Sequence, residues 1–171
     1  MIRETLVISD TNILLDLLSV GLTEAFFELP CEKWTSDFVF REIKTANDMK
    51  TIYRKKKTER LVVKEFSFEE LIKIQDLRNQ SGCNSLSITD CSVWYLAKLT
   101  NGRLLTGDKK LRDLSEANGV KVSGILFVLD NIVEYGILSP QAVADKLSLL
   151  MKNNLRLPTE ECEKRLKQWT E

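Results

Sequence analysis

The sequence predicts an α/β fold with a central, mainly parallel sheet, followed by additional helices. Short apolar runs alternate with longer segments whose apolar residues recur at helical spacing, and polar turn residues separate the two kinds. Acidic residues follow two of the short runs, Asp10 after the first and Asp108 after the fourth. The 171 residues suit a single domain, with a core over about residues 1–125 and a C-terminal helical appendage over about 126–171.

The predicted elements are delimited by residues that end strands and cap helices. Short apolar or β-branched runs predict strands over residues 6–8, 33–35, 61–66, 104–106 and 120–122. Helical spacing predicts helices over residues 13–18, 23–29, 37–47, 67–80, 85–99, 110–118, 125–136, 140–153 and 159–169. Pro30, Gly119, Pro140 and Pro158 lie at predicted boundaries, and Ser67 with Glu70 forms a predicted capping box.

The composition excludes several classes of chemistry. The chain contains no histidine, so it has neither a Ser-His-Asp triad nor a zinc site with histidine ligands. Its four cysteines form no CxxC pair and are expected to be reduced, as in an intracellular protein. The 25 basic and 25 acidic residues balance, which argues against binding of nucleic acid by bulk charge. No signal peptide or apolar run of about 20 residues is present, so we expect a cytoplasmic protein outside the membrane.

Four acidic residues are candidates for chemistry by their positions. Asp10 and Asp108 follow predicted strands, and Glu42 and Asp90 lie within predicted helices. Carboxylates that converge at strand ends repel one another unless a cation binds them, and carboxylate oxygens suit Mg²⁺ or Mn²⁺. Such a metal can activate water for attack on a phosphodiester. Each acid also has a simpler interpretation: the aspartates as helix caps or turn residues, and the helical acids as solvent-exposed side chains.

The flanks of these acids resemble the four motifs of PIN domains. VISDTN around Asp10 is similar to the opening motif, and VFREI around Glu42 to the helix that carries a glutamate. LSITDC around Asp90 resembles the third motif, and LLTGDKKL around Asp108 the fourth. The segment from Ala117 to Leu129 resembles a bacterial PIN subgroup in which a helical hairpin follows.

The resemblance implies a fold, an activity and a set of site residues. PIN domains are three-layer α/β/α proteins and Mg²⁺- or Mn²⁺-dependent ribonucleases, and many bacterial members are VapC-type toxins, usually dimeric and held inactive by an antitoxin. By position, Asp10, Glu42, Asp90 and Asp108 would be the catalytic, metal-binding cluster. Asn12 and Thr106 would support that cluster through hydrogen bonds. Single-stranded or structured RNA, a second copy of the chain and an antitoxin are the implied partners.

A basic run lies between the second and third motifs. Arg54, Lys55, Lys56 and Lys57 are consecutive and could contact RNA phosphates beside the acidic site. The same run also fits a solvated helix face or a loop.

Two other functions stay open on the sequence alone. A haloacid dehalogenase-type phosphatase would use Asp10 as a nucleophile, but Asn12 stands where that family has a second aspartate and no suitable lysine is evident. A PIN-like module that binds RNA or protein without strong catalysis is the other alternative, and it would have no need for four converging carboxylates.

Overall fold

The computed structural model describes residues 5–8, 11–42, 50, 54, 58, 60–80 and 82–171. Within these residues the chain is a mixture of helices and parallel strands, which confirms the predicted α/β class. Asp10, the end of the helix predicted over 37–47, and the lysines Lys55, Lys56 and Lys57 lie outside the described residues.

A parallel sheet organises the first part of the fold. In the described residues it has five strands: β1 (Leu6–Ile8), β2 (Lys33–Ser36), β3 (Val62–Lys64), β4 (Arg103–Leu105) and β5 (Lys121–Ser123). Their order across the sheet is β3-β2-β1-β4-β5, and every neighbouring pair is parallel. Leu6 at the start of β1 pairs with Lys33 on one side and Arg103 on the other, so β1 is the central strand.

The strand order creates a topological switch point beside β1. The chain proceeds outward from β1 through β2 to β3, and then returns to the other side of β1 to form β4 and β5. In open parallel sheets, ligands bind in the crevice outside the carboxyl ends of the strands at such a point. The segments that follow β1 and β4 therefore border the most favourable position for a site.

The helices of the described residues agree with the predicted pattern to within a few residues. They are α1 (Thr11–Ser19), α2 (Thr23–Glu28), α3 (Asp37–Glu42), α4 (Phe68–Asn79), α5 (Ile88–Thr100), α6 (Lys109–Ala117), α7 (Ile125–Glu134), α8 (Pro140–Asn153) and α9 (Thr159–Thr170). The predicted capping box of α4 is present: Ser67 Oγ accepts from the Glu70 amide, and the Glu70 carboxylate accepts from the Ser67 amide. No helix in the described ranges is long and apolar enough to cross a membrane.

The sheet unit comprises residues 1–13 and 30–124. Helix α5 contributes a large share of its core, because Val93, Trp94 and Leu96 are fully buried there. The apolar side chains of β4 and α4, Leu104 and Ile74, are equally inaccessible and belong to the same cluster. This packing holds α5 against the strands and thereby fixes the position of its first turn.

The helical unit comprises residues 14–29 and 125–171. It contains the predicted C-terminal helices, and it also contains the segment 14–29, whose grouping with those helices the sequence did not predict. Arg165 on α9 donates to both carboxylate oxygens of Asp130 on α7, at 2.7 and 2.8 Å. Such a two-point contact between guanidinium and carboxylate fixes orientation as well as distance, so it sets how α9 lies against α7.

The packing of α5 predicts a large difference between two leucines on that helix. Leu96 is fully buried, whereas Leu99 is 53% exposed. Leu96→Ala should lower the free energy of unfolding by about 2–5 kcal/mol, because it removes buried contacts and leaves a cavity. Leu99→Ala should lower the free energy of unfolding by less than half of the loss caused by Leu96→Ala. Urea unfolding followed by circular dichroism compares them, and equal losses would contradict the packing described for α5.

The environment of Asp16 in the helical unit predicts a pH-dependent stability. Burial raises the pKa of Asp16, although a hydrogen bond from Asn154 Nδ2 at 2.9 Å partly opposes the shift. Folding therefore favours the protonated acid, and this contribution to stability is lost as the pH rises through the folded-state pKa. Asp16→Asn removes the titration, so its stability relative to wild type should increase from about pH 4 to about pH 7. Thermal unfolding across that range measures the difference, and a constant difference would contradict the effect.

Candidate active site

Asp108 lies just beyond the carboxyl end of β4 and begins helix α6. Its Oδ1 accepts a hydrogen bond of 2.7 Å from the Leu111 amide, and this makes it the N-cap of the helix. Thr106, fully buried, accepts a hydrogen bond from the Asp108 amide on its Oγ1 at 3.0 Å. Thr106, predicted to support the cluster, therefore contacts the backbone of Asp108. The side chain of Asp108 stabilises the start of α6.

The backbone of Thr106 is held from two further directions. Its amide donates to the carbonyl of Ser123 in β5 at 2.9 Å, and Nη2 of Arg112 donates to its carbonyl at 3.2 Å. A Cβ atom at Gly124 would lie only 3.4 Å from that Arg112 nitrogen. Glycine at this position leaves room for the arginine, which fixes the segment that leads from β4 to Asp108.

Asp90 lies in the first turn of α5 and takes part in a capping box. Its Oδ2 accepts from the Ser87 amide at 2.9 Å and from Ser87 Oγ at 2.7 Å, and its own amide donates to Ser87 Oγ at 3.0 Å. The geometry fixes the carboxylate at the helix end. The capping role thus accounts for the contacts of Asp90 Oδ2 and involves only one of the two carboxylate oxygens.

Glu42 is the last described residue of α3 and has an exposed side chain. Its Oε1 accepts a hydrogen bond of 2.7 Å from Oγ1 of Thr89, the residue before Asp90. The contact joins residues 47 positions apart in the chain. It brings the second acid of the predicted cluster to the helical turn that carries the third.

Two buried serines connect the same elements behind Glu42. Ser36 at the end of β2 and Ser92 in α5 are both fully buried, and their hydroxyl oxygens lie 2.8 Å apart. Ser92 Oγ is also 2.6 Å from the Thr89 carbonyl, and the Val39 amide donates to Ser36 Oγ at 3.2 Å. Because a hydroxyl has one proton, the satisfied arrangement has Ser92 donating to Thr89 and Ser36 donating to Ser92.

The donor set fits a hard divalent cation. Each of Glu42, Asp90 and Asp108 has one oxygen in a hydrogen bond with the protein. Within the described residues no hydrogen bond engages their other oxygens, and oxygen ligands of this kind suit Mg²⁺ or Mn²⁺. The described residues by themselves bring no three acidic or cysteine side chains close enough to hold a metal. The predicted cluster also includes Asp10, which lies outside them, so the four-residue metal site stays a prediction.

Asn12 and the basic run can be located only in part. Asn12 lies in the first turn of α1 and is exposed, and its support of the cluster stays a prediction. Arg54 is exposed, which is compatible with a contact to RNA but equally with a solvated surface.

The sequence interpretation missed two residues at this edge of the sheet. Thr89 was not recognised as a partner of Glu42, although Ser87 and Asp90 show the spacing of a capping box and predict that Thr89 lies in a first helical turn. Asp37 is the other, and it is the first residue of α3. Its Oδ2 pairs with Arg41 at 2.9 Å, and its buried Oδ1 has no hydrogen-bond partner among the described residues. No sequence pattern signals that orphaned oxygen.

The fold and these residues define a class of protein: a parallel α/β domain with acidic side chains beyond its strand ends. A family model described as a PIN domain matches residues 6–171. The chain therefore belongs to the PIN domain family, whose members are typically metal-dependent nucleases. The match favours the nuclease prediction over the phosphatase alternative. No curated protein matches the chain at a significant level.

Cys91, next to Asp90, is predicted to be chemically inert. Burial raises the pKa of its thiol to about 11, and the neighbouring Asp90 carboxylate adds to the shift. At pH 8 only about one thousandth of such a thiol is ionised, and the thiolate is the reactive form. In metal-free buffer, iodoacetamide should modify the partly exposed Cys31 far faster than Cys91. Mass spectrometry of each cysteine gives the rates, with urea-unfolded protein as the control. Equal native rates would contradict the burial of Cys91.

Proposed function

We propose that the chain is a divalent metal-dependent endoribonuclease in which Asp10, Glu42, Asp90 and Asp108 form the catalytic cluster. The observation that carries the proposal is the hydrogen bond between Thr89 and Glu42, which joins α3 to the first turn of α5. Three of the four acids belong to elements that end or begin at the carboxyl edge of the sheet, and the fourth follows β1 in the sequence.

The roles of the chain's residues follow from their chemistry. Mg²⁺ or Mn²⁺, when bound, supplies an activated water and stabilises the negative charge of the phosphate. Glu42, Asp90 and Asp108 offer the oxygens that would hold it, and the hydrogen bonds on their other oxygens keep the carboxylates in place before the metal arrives. Thr106 holds the backbone of Asp108.

RNA is the proposed substrate because of the family and of the basic run. Arg54, Lys55, Lys56 and Lys57 would bind phosphates of the substrate. With a formal net charge of zero the protein has little general attraction for polyanions. Selection of the cleavage site would therefore depend on local contacts. A homodimer and an antitoxin stay predictions.

A second candidate, a module that binds RNA or protein without catalysis, is favoured by one specific observation. Asp90 and Asp108 have complete roles as helix caps, and a noncatalytic protein needs those caps equally. Glu42 is exposed and forms no helix cap among the described residues.

Asparagine and glutamine variants separate the two candidates. Wild-type protein should cleave mixed single-stranded RNA with Mn²⁺ and lose all cleavage in EDTA. Asp108→Asn and Glu42→Gln should reduce the rate by more than about 100-fold, since loss of a ligand should exceed the 10- to 100-fold cost of losing an outer-shell partner. Both substitutions keep an oxygen acceptor, so the caps and the folded state should persist. Gel electrophoresis of end-labelled RNA gives the rates.

The matched control is Asp145→Asn on α8. Asp145 is also an exposed helical aspartate with one side-chain hydrogen bond, from Gln141 at 2.9 Å. The Asp145→Asn variant should cleave RNA at the wild-type rate. Cleavage that persists in EDTA, or equal rates for Asp108→Asn and Asp145→Asn, would contradict the proposed chemistry. Absence of both Mn²⁺ binding and cleavage would favour the binding module.

A further inference from the structure

We propose that Thr89 is a positioning residue for Glu42 and sets the affinity of the site for its metal. The inference rests on the proposed function, because it concerns how one acid of the cluster is held. Thr89 Oγ1 donates to Glu42 Oε1 at 2.7 Å, and the threonine is 8% exposed. A short hydrogen bond to a carboxylate is about twice as strong as one between neutral groups.

The position of Thr89 in its helix makes the hydroxyl available for this contact. Threonine within a helix commonly donates back to the carbonyl three or four residues earlier. Thr89 is the second residue of α5, so those earlier residues precede the helix. Its β-branched side chain has restricted rotamers, and this fixes the direction of Oγ1 once the helix has formed.

The main chain of Thr89 is fixed as well. Its carbonyl accepts the hydroxyl of Ser92 at 2.6 Å, and Ser92 is linked to Ser36 at the end of β2. The capping box formed by Ser87 and Asp90 encloses Thr89 from the other side. The hydroxyl of Thr89 is therefore attached to a rigid turn that is tied to the strand preceding α3.

Glu42 needs such an anchor more than the other two acids do. Asp90 and Asp108 are short side chains held by the amides of their own helix ends. Glu42 has a longer side chain and is exposed, so its carboxylate would otherwise sample several rotamers. With Oε1 held by Thr89, Oε2 is the oxygen left to face a cation. Loss of the hydroxyl should therefore weaken metal binding without removing a ligand.

Thr89→Val and Thr89→Ser test the hydroxyl directly. Valine keeps the shape of the side chain and removes the donor, whereas serine keeps the donor. Titration with Mn²⁺, followed by the electron paramagnetic resonance of the free ion, should show affinity about 10- to 100-fold weaker for Thr89→Val. Thr89→Ser should bind Mn²⁺ as wild type does. The matched control is Thr100→Val on the same helix, where the hydroxyl donates only to helix carbonyls. It should leave Mn²⁺ affinity unchanged.

A double-mutant cycle distinguishes positioning from general damage. If Thr89 acts through Glu42, Thr89→Val should have no further effect on Mn²⁺ affinity in a Glu42→Ala background. The inference is overturned if Thr89→Val binds Mn²⁺ as wild type does, or if its effect persists without Glu42. Wild-type protein that cleaves RNA alongside either result leaves the proposed function standing. Wild-type protein that neither binds Mn²⁺ nor cleaves RNA overturns both.

Discussion

Parallel pairing of β1 with both β2 and β4 determines where the candidate site lies. Because all neighbouring strands run in the same direction, the segments that follow them emerge at one edge of the sheet. The reversal of strand order beside β1 marks the point at that edge where ligands bind in open parallel sheets. Helix α3, the segment from Thr106 to Asp108 and the first turn of α5 carry the described candidate acids. A sheet with antiparallel neighbours would send half of these segments to the opposite edge.

The second organising feature is the attachment of each described acid to a hydrogen-bond donor of the protein. Carboxylates that approach one another repel, and the repulsion would displace flexible side chains. Amides at helix ends restrain Asp90 and Asp108, and the hydroxyl of Thr89 restrains Glu42. These donors restrain the three carboxylates independently of any cation. Preorganisation of this kind is what makes a metal site selective in geometry.

Local sequence patterns were sufficient for the fold class, and they placed the described strands and helices to within a few residues. The predicted capping box at Ser67 and the N-cap role of Asp108 depend on residues a few positions apart, so short-range rules describe them. The contact from Thr89 to Glu42 depends on how α3 and α5 pack, which no local pattern encodes. The same is true of the hydrogen bond between Ser36 and Ser92 and of the grouping of residues 14–29 with the C-terminal helices. Local capping rules describe the contacts of Asp90 and Asp108, whereas tertiary packing brings Thr89 to Glu42.

The capping roles of Asp90 and Asp108 have a consequence for comparing this chain with its relatives. A protein that lost nuclease activity would still be destabilised by losing either aspartate, because each one begins a helix. Selection for folding alone can therefore preserve both aspartates long after catalysis has disappeared. Glu42 forms no helix cap among the described residues, and the proposed site gives a reason to retain it together with the hydroxyl at position 89. In an alignment, loss of that pair would be the earlier sign of an inactive descendant.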